Sequence, residues 1–428
     1  MNRFFTTVCF GLLVLLNVSC EKTSNDFSFK DEEKKDNLNS NWETALFDYI
    51  VKAGNVEDFK AALTAANLDK TTKRYRIFLP AGEYNLGNVY GTAVKRSQVS
   101  IIGESMEKTI IRNNPPEAGI GITATVFIDG ASDTYIQDIT LKNDWPYVEK
   151  GGGVAVCLQD KGDKTILKHV KMLSYQDTYF SDNRSMRSYL EDCEIHGTVD
   201  FICGGGDVFF NRNLLYLESR SGNVIAAPRG ETKYGYVFKD CIIDGAEINN
   251  NSYCLGRPWS EAPKTVFLNT TMKVIPTSAG WTNMGPLPAL FAEYNSHTSD
   301  GSAIDYTKRK KIYRVNNIDT PYNGPTVLTD AQAAEYTIEN VLKGTDYWAP
   351  NVYTTQLQAP AIEHNNNVLT WPVIENALCY VIYKDGVYVA QTIEERFSIS
   401  VKGIYMVYAV NKMGGLSMAS NAMNVSAI

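Results

Sequence analysis

The chain has 428 residues, with 41 Lys and Arg against 48 Asp and Glu, a formal net charge of −7. A composition of 44% hydrophobic and 21% charged residues excludes wholesale disorder, and the acidic balance argues against a nucleic-acid partner, because phosphate neutralisation needs clustered Lys and Arg. Twenty-five Tyr, 17 Phe and 6 Trp fit strand-rich architecture and a surface that stacks on sugar rings.

In chain order, Met1-Asn2-Arg3 and the apolar run from Phe4 to Val18 read as a signal peptide over residues 1–19. The run is too short for a comfortable membrane span and is followed at once by polar sequence. Cys20, directly after the small residue Ser19, resembles the end of a bacterial lipobox, which implies lipidation at Cys20. Several acyl chains on one residue anchor a protein stably where a single chain does not. Residues 20–43 read as a polar tether. The expectation is an exported outer-membrane lipoprotein on the periplasmic or cell-surface face, touching the membrane only through this anchor. Beyond Cys9 and Cys20, six cysteines remain with no CxxC pair or Cys/His cluster, so no metal site is expected.

Asn55 to Leu68 predicts a helix, with good helix formers at helical spacing behind an Asn that can cap. Strands follow at Tyr75–Pro80 and Val99–Gly103, with Ala81–Tyr84 expected as a turn. From there one shape recurs: an apolar strand, a polar corner, then a second apolar strand. It starts at Tyr135, Ile166, Tyr189, Phe209, Val237 and Val266, at spacings of 31, 23, 20, 28 and 29 residues. The length varies and the phase does not. Repeats in this range without helical segments point to a right-handed parallel β-helix, in which each coil stacks its strands on the last. An antiparallel sandwich would carry more Asn-Gly hairpin turns. Cys193 and Cys241 share a phase, with Asn213 in the coil between them. Two strand spacings separate them by about 9.6 Å, beyond disulfide reach, so they are expected as reduced core residues.

Thr329-Asp-Ala-Gln332 is a capping box, predicting a helix that ends near Gly344. Past Pro350 the texture changes to alternating strands, with Asp385-Gly386 as a two-residue hairpin. Residues 357–428 are expected as a small β-sandwich, and their Trp371 and Tyr405-Met-Val-Tyr-Ala-Val-Asn411 resemble a fibronectin type III module. The expected fold class is all-β, a right-handed parallel β-helix followed by this small β-sandwich domain.

Histidine is scarce: His169, His196, His297 and His364. No Gly-x-Ser-x-Gly elbow, His-Glu-x-x-His motif or Walker loop occurs, so any chemistry must run on carboxylates. Three clusters stand out: Tyr175-Gln176-Asp177-Thr178-Tyr179-Phe180, Gly197-Thr-Val-Asp200-Phe-Ile-Cys203-Gly204 and Leu255-Gly-Arg257-Pro-Trp259. Asp177 and Asp200 lie 23 residues apart, about one coil, so both can stand on one face of adjacent coils. Two close carboxylates split their pKa values, which suits one acid and one ionised nucleophile. An Arg one or two coils later can hold the nucleophile ionised and oriented. Either Asp alone also fits an ordinary β-turn.

In that order, the three clusters resemble the pectin methylesterase (pectinesterase) family, esterases built on a right-handed β-helix, and Ala279-Gly-Trp281 and Phe291-Ala-Glu-Tyr-Asn295 agree. The resemblance covers residues 44–352 as a catalytic domain. It implies a cofactor-free hydrolysis of pectin (methyl-esterified homogalacturonan), and a monomer is expected. By the same resemblance Asp200 attacks the C6 ester carbonyl, and Asp177 protonates the departing methanol and then activates water. Arg257 hydrogen-bonds Asp200, the Gln176 amide stabilises the oxyanion, and Trp259, Phe180 and Tyr179 form part of the sugar cleft. Two positions depart from the family pattern. Val154 stands where a second oxyanion Gln is expected, and Cys203 replaces an aromatic ring. These departures leave two alternatives: an esterase or thioesterase on a different acyl substrate, and a non-catalytic glycan-binding β-helix.

Overall fold

The computed structural model describes residues 47–89, 92–121 and 123–426. The signal peptide expected over 1–19, the tether over 20–43 and the lipidated Cys20 lie outside the described residues. From Tyr49 to Thr298 the chain winds as a right-handed parallel β-solenoid of about nine turns. Seventeen strands form one parallel sheet folded along a corner, and seven short strands form a second.

The recurring sequence phase is the ladder register, residue for residue. Ile166 pairs with Tyr135 and Tyr189, Tyr189 with Phe209, Phe209 with Val237, and Val237 with Val266. Three residues beyond each of these starts stands the polar corner: Asp138, His169, Asp192, Arg212, Asp240 and Asn269. Every one is left-handed, with φ between 52° and 55°. Such a residue turns the chain between two strands while the strands on either side stay paired. Short polar side chains dominate because they tolerate this conformation best.

Inside the solenoid, equivalent apolar residues of successive coils stack. Phe210, Phe238 and Phe267 lie face to face, each 4.3 Å from the next at 12° and 7°. Burial of each such ring contributes roughly 1.5–3 kcal/mol. Cys193 and Cys241 are buried and free, and the Asn213 side chain between them accepts from the Cys193 N–H at 2.8 Å. The expectation of reduced core cysteines holds.

Both ends of the stack are covered. Helix α1 (Val56–Leu68), capped by Asn55 accepting from the Asp58 N–H, buries Phe59, Ala62, Leu63 and Ala66 over the N-terminal coil. At the other end Trp281 stacks on Phe291 at 4.6 Å. There the fully buried Glu293 is held by Arg309 through two hydrogen bonds of 2.5 and 3.1 Å.

Two local expectations change. Gly82–Asn85 is a strand paired with Thr109–Arg112, not part of a turn, because the coil needs a partner for that second strand. The helix expected from Thr329 to near Gly344 is two short ones, α2 (Asp330–Ala334) and α3 (Ile338–Leu342). The capping box at Thr329 is present, but Thr337 caps α3 and restarts the helix, which turns Val341 and Leu342 onto the solenoid.

The C-terminal region forms a three-stranded and a four-stranded antiparallel sheet around Leu369, Trp371, Tyr380 and Val407. It shares a second apolar cluster with the solenoid's outer face, where Phe78, Ile102, Tyr135 and Tyr189 meet Trp348, Tyr383, Val410 and Met413. That face of the solenoid is therefore apolar on both sides, which explains why its strands read as nearly unbroken apolar runs.

Arg309→Ala leaves the Glu293 carboxylate buried without its cation, and breaking such a pair costs about 3–5 kcal/mol. Denaturant unfolding followed by tryptophan fluorescence should show a loss of that size.

Candidate active site

The short strands Leu158–Asp160, Tyr179–Ser181, Val199–Gly204, Val224–Pro228 and Cys254–Gly256 lie in consecutive coils of the seven-stranded sheet. Their register lines up Leu158, Tyr179, Ile202, Ala226 and Gly256 in one row, and Gln159, Phe180, Cys203 and Ala227 in the next. Strand alternation sends the first row into the core and the second to the outer face.

The two candidate carboxylates break this alternation. Asp200 would share the inward direction of Ile202, but the register shifts between Val199 and Ile202 and Asp200 takes φ 53°. Phe201 and Ile202 both enter the core, and Asp200 is left on the outer side. Gly197 permits this, since a Cβ there would lie 2.1 Å from the Cβ of Phe201. Asp177, one coil earlier, has φ 58°, and its N–H donates to the Val199 carbonyl at 3.3 Å. Outside glycine this conformation costs roughly 1–2 kcal/mol per residue, and here it re-aims two carboxylates.

Arg257 follows Gly256 out of the sheet and grips Asp200 with both arms, Nε to Oδ1 at 2.8 Å and Nη2 to Oδ2 at 2.5 Å. Asp200 is 4% exposed and Asp177 7%. Burial pushes Asp177 up to about 8, the Asp200 charge adds to the rise, and Arg257 offsets part of it. Burial raises Asp200 too, but its hydrogen bonds and charge pairing with Arg257 oppose the rise directly. The environments differ in one respect that matters: only Asp200 has its own cation. One carboxyl protonated beside one carboxylate is the stable state near neutrality.

Gln176 pairs across the ladder with Val154, and among the described residues its side-chain amide has no partner. Val154 packs with Ala124, Val156, Phe180 and Cys203 in an apolar patch on the outer face, so a hydrocarbon fills the position where the resemblance implies an amide. Trp259 is half-buried at the edge of this patch. Two sugar-cleft assignments need correction. Tyr179 is fully buried, inside the solenoid, donating to Asp160 at 3.4 Å and meeting Phe210 edge-on, because it falls on the inward row. Phe180 is on the outer row but is 3% exposed, covered by Trp259 and by the Arg229 guanidinium 5.2 Å from its centroid.

Sequence reasoning missed Arg229. Its guanidinium lies 4.8 Å from the Trp259 ring centroid and pairs with Asp182 at 2.6 Å, fixing the tryptophan's support. The signal was its place one coil after Gly204, to whose carbonyl its N–H donates. Also missed was Tyr147, stacked on Tyr175 at 4.8 Å and 5° and bonded to Thr198 at 3.3 Å. Nothing in the local sequence links residue 147 to the Gln176 motif. Among the described residues, no three His, Cys, Asp or Glu side chains converge as a metal-binding group.

The model of the Pectinesterase family matches residues 50–345. The chain belongs to the pectinesterase family. Among curated relatives it is 27% identical over 316 residues to pectinesterase 2 of Citrus sinensis, covering 70% of this chain and 57% of the relative. It is 27% identical over 350 residues to the probable pectinesterase/pectinesterase inhibitor 6 of Arabidopsis thaliana, covering 78% and 58%. The chain thus spans somewhat over half the length of these relatives. Among solved structures, pectin methylesterase PemA from Erwinia chrysanthemi matches with a TM-score of 0.56 at 24% identity, covering 71% of this chain and 98% of that one. A pectin methylesterase solved in complex with a hexasaccharide matches at 0.57 and 24%, with the same coverage. The shared fold is the parallel β-helix.

A carboxyl raised to about 8 in the fold and ordinary in the unfolded chain makes the fold bind the extra proton. Its contribution is full below pH about 4 and is lost as pH rises to about 8. Asp177→Asn should therefore raise the melting temperature relative to the parent at pH 8 and above, with the gain shrinking to nothing near pH 4.

Proposed function

We propose that this pectinesterase-family chain is a carboxylic ester hydrolase that removes methyl esters from the galacturonate units of pectin and releases methanol. The observation that carries the reading is the asymmetry of the carboxylate pair: Arg257 clamps Asp200 alone, while Asp177 beside it is pushed up to about 8. In the reaction, an Asp200 oxygen attacks the C6 carbonyl and the Gln176 amide donates to the developing oxyanion. As the C–O bond to methoxide breaks, Asp177 supplies the proton, so methanol leaves and an acyl-enzyme anhydride remains. Asp177, now ionised, takes a proton from water as the water oxygen attacks the acyl carbon. Collapse frees the Asp200 carboxylate and a galacturonic acid, which gives its proton to solvent to become galacturonate, while Asp177 holds its own proton again. Ester and water become acid and methanol, with no cofactor in the balance.

Trp259, braced by Arg229 and Phe180, is the ring on this reading that meets the sugar. The position is also the basis of a second reading. The apolar Val154 side chain beside Gln176 leaves a single side-chain oxyanion donor and favours a different acyl ester or thioester as substrate. The signal peptide and Cys20 anchor belong to the proposal as well, because polymeric pectin meets only an exported enzyme.

The test is methanol release from methylated pectin by the purified protein and its Asp200→Ala variant. The parent should turn over and the variant should not; turnover that survives the substitution sinks the mechanism, and thioester cleavage without methanol release favours the second reading. With Asp177 as the acid, kcat/KM should fall as pH rises through about 8.

A further inference from the structure

A cavity of about 370 Å³ opens where the solenoid, the Trp348–Tyr353 segment and the Lys412-Met413 loop of the C-terminal sheets meet. It lies at the corner where the strands beginning at Val99, Tyr135 and Thr165 start, and shares no residue with the Asp177–Asp200 site. We infer that this cavity is a second saccharide site, taking a carboxylate-bearing, de-esterified stretch of galacturonan.

Charge is the first support. The wall carries Arg74, Arg76, Lys164 and Lys412 against one carboxylate, Asp133, on a chain whose net charge is −7. Lys164 is balanced, lying 3.6 Å from Asp133 and 3.4 Å from Asp346. Arg74 lies in the field of Asp133 and Arg76 in that of Asp48, but among the described residues neither they nor Lys412 forms a direct ion pair with a carboxylate. Arg74 makes all its hydrogen bonds through Nη1, to the Asp133 carbonyl at 2.9 Å, the Ser100 hydroxyl at 3.3 Å and the Val99 carbonyl at 3.4 Å. Its Nε and Nη2 have no partner among the described residues, which leaves one edge of a fixed guanidinium for a carboxylate. Arg76 grips the Lys412 carbonyl through Nε and Nη2 at 3.1 and 2.7 Å, which fixes the loop that carries the Lys412 ammonium.

The second support is an orphan. The Thr134 hydroxyl, in the same wall, is buried without a hydrogen-bond partner. A buried hydroxyl left without a partner is unfavourable, and a ligand oxygen supplies the missing hydrogen bond. Burial lowers Arg74 to about 10, with the Asp133 charge opposing the fall and the Arg76 charge adding to it, so the site holds a partly desolvated cation that a further anion stabilises. The third support is shape: the volume falls in the range of small-ligand pockets, roughly 300–1,000 Å³, and the wall adds the half-buried Tyr353 ring, which holds the Lys412 ammonium 4.7 Å from its centroid, and an edge of the buried Trp348.

The choice of galacturonate rests on the proposed esterase activity, whose product carries the carboxylates that the cavity fits. Retention of product at a distance from the cleft would keep the enzyme on a partly de-esterified polymer.

The test is calorimetric titration of the full-length chain with unesterified trigalacturonate, alongside methanol release from methylated pectin. Lys412→Glu, at an exposed position, should weaken binding at least tenfold at one site, and Arg74→Gln should do the same. Methanol release from a short methyl ester should be unchanged in both. Trp259→Ala should leave that binding event in place. Unchanged affinity in Lys412→Glu overturns the proposal, as does equal binding of neutral galactotriose or equal displacement by inorganic phosphate. If the parent releases no methanol yet binding still depends on Lys412, the esterase reading falls and the cavity assignment stands.

Discussion

Parallel pairing between successive coils is the constraint from which everything else in this molecule follows. Each strand must place its N–H and C=O groups opposite those of the coils before and after it, about 4.8 Å away. Equivalent residues are therefore forced into columns. Loops between strands can lengthen freely, because they project from the column without disturbing it, which is why spacings from 20 to 31 residues coexist with an unbroken register. The columns then decide chemistry as well as stability. Phe210, Phe238 and Phe267 stack because the ladder puts them there, and Asp177 and Asp200 are neighbours for the same reason.

The candidate site is built from departures from that regularity. A strict two-residue alternation would have turned Asp200 inward with Ile202. A left-handed residue and a register shift turn it out, and a glycine at 197 makes room for the displaced Phe201. Backbone distortion of this kind is affordable only where many neighbouring pairs hold the strand in place. The result is two buried carboxylates that the fold would be more stable without, one of them matched by Arg257 and the other left to hold a proton.

The outer face of the solenoid shows a different use of the same columns. Its apolar stripe is covered partly by α2 and α3 and partly by the C-terminal sheets, so the C-terminal region is bonded to the solenoid through one shared cluster and not merely tethered. The basic cavity is a product of this arrangement, since its cations come from segments more than 300 residues apart, Arg74 and Lys412.

Much of the fold was legible in the chain itself. The phase of the repeat, the α1 cap at Asn55, the capping box at Thr329 and the reduced state of Cys193 and Cys241 all follow from local periodicity and short-range chemistry, which act over a few residues. So did the order of the three motifs and the residues in them. What periodicity could not supply was direction. Tyr179 and Phe180 are adjacent and both aromatic, and only the register shows that one faces the core and the other lies beneath Trp259 and Arg229. Arg229, Tyr147 and the Arg74–Lys412 cavity were invisible for a related reason: each depends on segments brought together by coil stacking or domain packing. Local pattern settles which residues repeat and which carboxylates stand one coil apart. Which way each side chain points and what lies against it come from the stacking of coils and the packing of the C-terminal sheets, because those are long-range contacts that no local pattern encodes.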